Sequence, residues 1–216
     1  MGIKERRERE KAEIREKILE AARELFVSEG YEAVSMRKIA DKIEYSPTAI
    51  YLHFKDKEAV LRELCESDFY SLAQEFHQIA RLADPVERLQ ETGVAYARFA
   101  LSHPNHYRLM FMTPHPVAPD EETRIERGNP EEDAYAFLKW TIGEVVAAGL
   151  VRPGFEDVES LAQTFWAGMH GVVSLQIAKC NDDWVDWRPT EERLRLMNEA
   201  LLRGMLREAT EGEVHG

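Results

Sequence analysis

The 216-residue chain contains no run of eighteen apolar residues, so no segment is predicted to span a membrane. Its only cysteines, Cys65 and Cys180, lie in no CxxC motif, which fits a reducing cytoplasm. The N-terminal MGIKERREREKAEIREK is charged throughout and lacks an apolar stretch, so no signal peptide is expected. There is no GxSxG, no HExxH and no phosphate-cradling glycine loop, and no histidine is clearly paired with a nucleophile. These absences argue against an enzyme, and no cofactor is expected. His103, His106 and His115 surround a proline-rich loop without an acidic or cysteine partner at ligand spacing, so no metal is expected either.

What is present is charge, unevenly placed. Residues 1–60 hold 13 basic and 13 acidic side chains, whereas residues 61–216 hold 15 and 27, which carries the whole net charge of −12. The first part can approach a polyanion and the remainder is repelled by one. The early run KERREREKAEIREK reads as a solvated helix extension with i,i+4 pairs, the alternative being a minor-groove arm using Arg6, Arg7 or Arg9.

Apolar residues recur at helical spacing almost everywhere, with no strand pattern of useful length and no repeat, so the fold is predicted to be all-α. Gly30 is predicted to close the first helix, and Ser35 to cap a second carrying Met36, Ile39, Ala40 and Ile43. Further helices are expected from Lys55 or Asp56, from Pro85 to about Ser102, from Glu131 to Gly149, from Asp157 to Lys179, and from a Thr190 cap. The proline-rich TPHPVAPDEETRIERGNP is expected to be an exposed loop.

Between the second helix and the one that starts at residue 55 or 56 lies EYSPTAIYLHF. A short turn, Glu44-Tyr45-Ser46, precedes a brief helix that Ser46 caps and Pro47 opens. This is the layout of a helix-turn-helix, with Ala40 at the tight crossing and Ile50 pointing inward. The second helix of such a unit enters the major groove N-terminus first. Tyr45, Pro47, Thr48 and Ala49 are then exposed, with Thr48 suited to base edges. Tyr51, His53 and Lys57 are predicted to reach phosphates. Ser35 with the helix start it caps, and Arg37 in its first turn, form a second phosphate seat.

Ile39-Ala40, Ser46, Tyr51-Leu52-His53-Phe54 and Lys57-Glu58 match position by position the DNA-binding motif of the TetR family of bacterial regulators, which the first 65 residues resemble. Glu44 stands where the family usually has glycine. A left-handed backbone there costs a non-glycine residue about 1–2 kcal/mol. Either the turn has relaxed with Glu44 facing solvent, or Glu44 tunes specificity.

YARFALSHPNHYRLMFM and TFWAGMHGVVSLQI resemble the C-terminal domain of a TetR subgroup with a Trp-x-x-x-His-Gly motif, matched by Trp166, His170 and Gly171. The resemblance implies a helix-turn-helix domain at 1–70 and a larger helical effector-binding and dimerisation domain at 71–216. An effector pocket is expected among Tyr96, Phe99, Met110, Phe137, Trp140, Phe165, Trp166, Met169 and His170. The same residues would otherwise be ordinary helical core, with Trp166 and His170 a packed pair. Ala167, Gly171, Ser174 and Ala178 form a seam of small residues. Beside the Leu194, Met197, Leu201 and Met205 stripe it predicts a four-helix interface across a two-fold axis. The expected partners are an operator DNA, an unidentified small-molecule effector and a second copy of the chain. The expected activity is ligand-responsive transcription regulation, with repression the family default.

Overall fold

The computed structural model describes residues 2–113 and 123–207, and among them every regular element is a helix. His115 and the centre of the proline-rich segment lie outside the described residues. The elements are α1 (Ile3–Glu29), α2 (Met36–Lys42), α3 (Pro47–Tyr51), α4 (Lys57–His77), α5 (Pro85–Ser102), α6 (Pro104–Tyr107), α7 (Ala134–Ala147), α8 (Val158–Lys179) and α9 (Thr190–Met205). A 3-10 turn at Ile79–Arg81 follows α4, and α6 runs on as a π-helical turn, Arg108–Met112. The chain divides into two compact units, residues 2–69 with 103–113 and 123–124, and residues 70–102 with 125–207.

The first unit is built on the inward stripe of α1. Ile18, Ala22 and Phe26 are buried there and meet Ile39, Ala40, Ile50, Phe54, Val60 and Leu64 in one core. Gly30 ends α1 with φ 83°, its N–H donating to the Phe26 carbonyl. Ala40 has no exposed surface, as the α2–α3 crossing requires. Arg6 and Arg9 pair with Glu10 and Glu13 one turn on, so this part of α1 is a solvated, self-paired helix.

Segment 104–112 departs from the expected division. Leu109 is fully buried in the first unit's core, and Phe111 packs edge-on to Phe69 at 5.4 Å. Met110, predicted for the effector pocket, belongs to this unit as well. The segment is tied down by charge. Asp68 on α4 accepts both arms of the Arg23 guanidinium from α1, and His106 Nδ1 lies 2.8 Å from its Oδ1.

In the second unit, α7 begins at Ala134 rather than at residue 131, because the Asp133 carboxylate caps the N–H groups of Tyr135 and Ala136. Asp157 caps α8 in the same way. Thr190, predicted as a cap, is instead the first residue of α9. Pro189 holds the cap position without a side-chain bond.

Candidate nucleic-acid interface

The turn before α3 accounts for Glu44. The Tyr45 N–H donates to the Ala40 carbonyl at 3.0 Å and the Glu44 N–H to that of Asp41 at 3.3 Å. This pair of bonds is the Schellman closure of a helix, and it places Glu44 where a left-handed residue is needed. Glu44 has φ 60°, the only positive non-glycine φ among the described residues. The turn has therefore not relaxed. It holds because Tyr45, next in line, packs its ring against the first unit's core. Tyr45, expected at the DNA face, is half-buried instead. Glu44→Gly should raise stability by up to about 1 kcal/mol, the relieved backbone strain less the added unfolded-chain entropy. Chemical denaturation checks it, and a loss of stability would mean that Glu44 carries an interaction of its own.

Ser46 Oγ accepts from the Ala49 N–H at 3.2 Å, and Pro47 supplies the preset φ of the first helical position. Ser46, Pro47 and Thr48 are exposed in a row, followed by Tyr51. Ser35 caps α2 in the same fashion through the Lys38 N–H. Arg37 beside it is exposed and makes a long surface ion pair with Asp41, 3.8 Å away. These residues, all predicted to contact DNA, are exposed.

His53 and Lys57 are placed differently from that set. The Lys57 ammonium donates to the carbonyls of Tyr31 at 2.8 Å and Val34 at 3.1 Å, and sits 4.1 Å from the centre of the Tyr31 ring. It fastens the α1–α2 turn to α4 and has one N–H left over. His53 is half-buried, and burial, helped by Lys11 and Arg15, pushes its pKa below the ordinary value. A neutral imidazole there adds no charge for a phosphate.

The main residue missed from sequence is Arg15. It grips the Glu63 carboxylate with two nitrogens, donates to the His53 carbonyl at 2.8 Å, and covers the Phe54 ring at 4.1 Å. Arg15 therefore fixes the chain just beyond α3. The local sequence does not single it out, since Arg7 as well as Arg15 lacks a glutamate four residues on.

The residues expected to form a pocket in the second unit mostly fill its core. Trp166 Nε1 donates to the Tyr96 hydroxyl at 3.1 Å, which lies 2.9 Å from His170 Nδ1. Burial lowers the His170 pKa. Phe137 stacks obliquely on Phe76 and edge-on to Trp140, each at 5.4 Å, while the Arg88 guanidinium covers Trp140. Phe99 and Phe165 are buried. A cleft of about 1040 Å³ lies between α5 and α9, and of the predicted set only Met169 lines it.

Part of the predicted interface packs within the chain. Met205 is 3% exposed and packs within the chain. Gly168 is the intrachain crossing point, since a Cβ there would lie 2.8 Å from Leu201 Cδ1 and 3.2 Å from Met197 Sδ. Ala167 and Ala178 are exposed, Gly171 and Ser174 partly so, and Leu175 is 48% exposed, leaving the small-residue seam of α8 uncovered. Among the described residues no three histidine, cysteine or acidic side chains gather at metal-binding distance, and no helix is long and apolar enough to cross a membrane.

A capped, outward-facing short helix set across a tight turn on a three-helix core defines a helix-turn-helix DNA-binding regulator of transcription. A family model for bacterial regulatory proteins, tetR family, matches residues 18–64, and one for the tetracyclin repressor-like C-terminal domain matches residues 89–206. The chain belongs to the tetR family. It is 28% identical over 142 residues to the HTH-type transcriptional regulator HbdR of Aromatoleum sp., covering 65% of this chain and 61% of that one. It is 36% identical over 94 residues to the HTH-type transcriptional repressor AcnR of Corynebacterium diphtheriae, 43% of each. The chain thus spans less than two thirds of the length of these relatives. A solved tetR-family regulator, PfmR from Thermus thermophilus, is 25% identical with a TM-score of 0.66, covering 88% of this chain and 96% of that one.

Proposed function

We propose that the chain is a homodimeric repressor that binds a near-palindromic operator and leaves it when a small-molecule effector binds the C-terminal domain. Residues 1–70 bind DNA, and residues 71–216 dimerise and receive the effector. The observation that carries this reading is the exposed first turn of α3, Ser46-Pro47-Thr48, held rigid by the Schellman turn before it and the Arg15 grip after it. Thr48 reads base edges. Ser35, Arg37 and Tyr51 hold flanking phosphates and set the register. Lys57 places its remaining N–H on a phosphate while its other two brace the turn.

Repression follows from where such a dimer sits: a bound operator excludes other proteins from the same DNA. Support comes from the AcnR relative, which is a repressor by name. Release requires an effector that binds the DNA-free arrangement more tightly, by the factor it lowers operator affinity.

The Thr48→Ala variant tests the reading. It should relax preference at one or two base pairs and cost about 1–3 kcal/mol per half-site. Binding sites are selected from random DNA for both proteins. Identical selected sites would remove Thr48 from base reading.

A further inference from the structure

The cleft between α5 and α9 has the volume of a small-molecule site. Val94 and Leu101 of α5 and Leu194 and Leu202 of α9 give it apolar sides. One buried polar group interrupts them. Asn198 is 4% exposed, its Nδ2 donates to the Gln90 carbonyl at 2.9 Å, and its Oδ1 has no hydrogen-bond partner. Because Nδ2 serves a carbonyl, turning the amide over would set oxygen against oxygen, so Oδ1 is fixed as a lone acceptor. Its position is built into α5. Gly93 lies against the amide, and a Cβ there would come within 3.1 Å of Nδ2. A buried acceptor without a donor is costly, and a ligand O–H or N–H removes the cost.

Charge supplies a second requirement. Five arginines (Arg98, Arg152, Arg195, Arg203 and Arg207) line the cleft against two acids, Glu191 and Glu199, a net +3. That sign is opposite to the acidic excess of residues 61–216. Glu199 alone answers both Arg195 and Arg203, and Glu75, outside the lining, pairs with Arg98 at 3.3 Å, which still leaves an excess of positive charge. Arg152 is held by the carbonyls of Arg203 and Leu206, which orient it without cancelling its charge. The rim therefore presents a positive potential to an entering anion.

We propose that the α5/α9 cleft binds a small amphipathic anion carrying a hydroxyl or N–H donor. Its apolar body lies between the two helices, its donor on Asn198 Oδ1 and its charge among the arginines. The proposal rests on the reading of the C-terminal domain as effector-receiving, and gives that effector a chemical class and a seat.

Anilinonaphthalene sulfonate combines an apolar ring system, an N–H and a sulfonate, and serves as the probe. Titrated into the full chain, it should bind with one dye per chain, read by its fluorescence. Val94→Trp fills the cleft from an exposed position, 43% accessible, and should abolish binding. The double variant Arg98→Gln with Arg195→Gln should weaken the dye about fivefold. It should leave binding of phenylnaphthylamine, which keeps the N–H but has no charge, unchanged. Asn198→Leu should weaken both dyes, and circular dichroism checks its fold. Should it unfold, the two surface variants decide alone. No dye bound by the native chain, undiminished binding by Val94→Trp, or equal loss of both dyes in the arginine variant would overturn the proposal. Operator release is read separately, by the anisotropy of labelled DNA. Dye that passes these tests without releasing DNA keeps the cleft as a ligand site and counts against release alone.

Discussion

Asp68→Ala is expected to lower the stability of the chain by about 3–5 kcal/mol, the cost of leaving one member of a buried ion pair without its partner. Asp68 is 2% exposed and Arg23 is 6% exposed. Both oxygens of Asp68 are occupied by the Arg23 guanidinium, and His106 shares one of them. The Arg23 Nε already lacks a hydrogen-bond partner. Truncation would leave the buried guanidinium with only the exposed Glu20 carboxylate, 3.9 Å from Nε, as a counter-charge. Native stabilities are only about 5–15 kcal/mol, so this one change would remove a large share. The urea midpoint should fall with the slope unchanged. Arg23→Met with Asp68→Leu removes both charges together and should be much milder. If Asp68→Ala alone unfolds like the native chain, the pair is not holding α1, α4 and α6.

That network also explains what the sequence concealed. Arg23 and Asp68 are 45 residues apart, and a charged residue in a helical stripe reads as surface unless its distant partner is known. The same holds for Arg15 and Glu63. Local features were legible because their causes are local. Ser35 and Ser46 cap the helices they precede, Pro47 and Pro85 open theirs, and Gly30 closes its own. Glu44 was legible as a departure, but its backbone was not. Whether a turn relaxes depends on what the next side chain packs against, here Tyr45 on the core. The effector region was least legible. Aromatic and methionine residues at helical spacing are equally good as core and as pocket wall, and only packing separates the two. Tyr96 and Phe137 went to the core, and an open cleft formed beside Asn198 and a set of arginines that read as ordinary surface.

Gly171→Leu is expected to separate the proposed dimer while leaving each chain folded, and the neighbouring glycine shows why. A side chain at Gly168 would drive into Leu201 and Met197 of the same chain, whereas one at Gly171 meets nothing within 4 Å. Gly168→Leu should therefore cost about 1–3 kcal/mol of fold stability through overpacking. Gly171→Leu should cost none, and can gain from the better helix propensity of leucine. Its effect falls instead on the seam of Ala167, Gly171, Ser174 and Ala178, where a second copy must approach closely. A dimer gains affinity because the first half-site bound raises the local concentration of the second recognition helix, a factor of about 10²–10⁴. Operator affinity should fall by that factor, and light scattering should return the mass of a single chain. Binding to one isolated half-site should be unaffected, because α3 and its Arg15 grip are untouched. A Gly171→Leu protein that remains dimeric would move the interface off this face of α8. The exposed Leu196 face of α9 would then be the next surface to probe, since that residue is 63% exposed on a helix packed against α8.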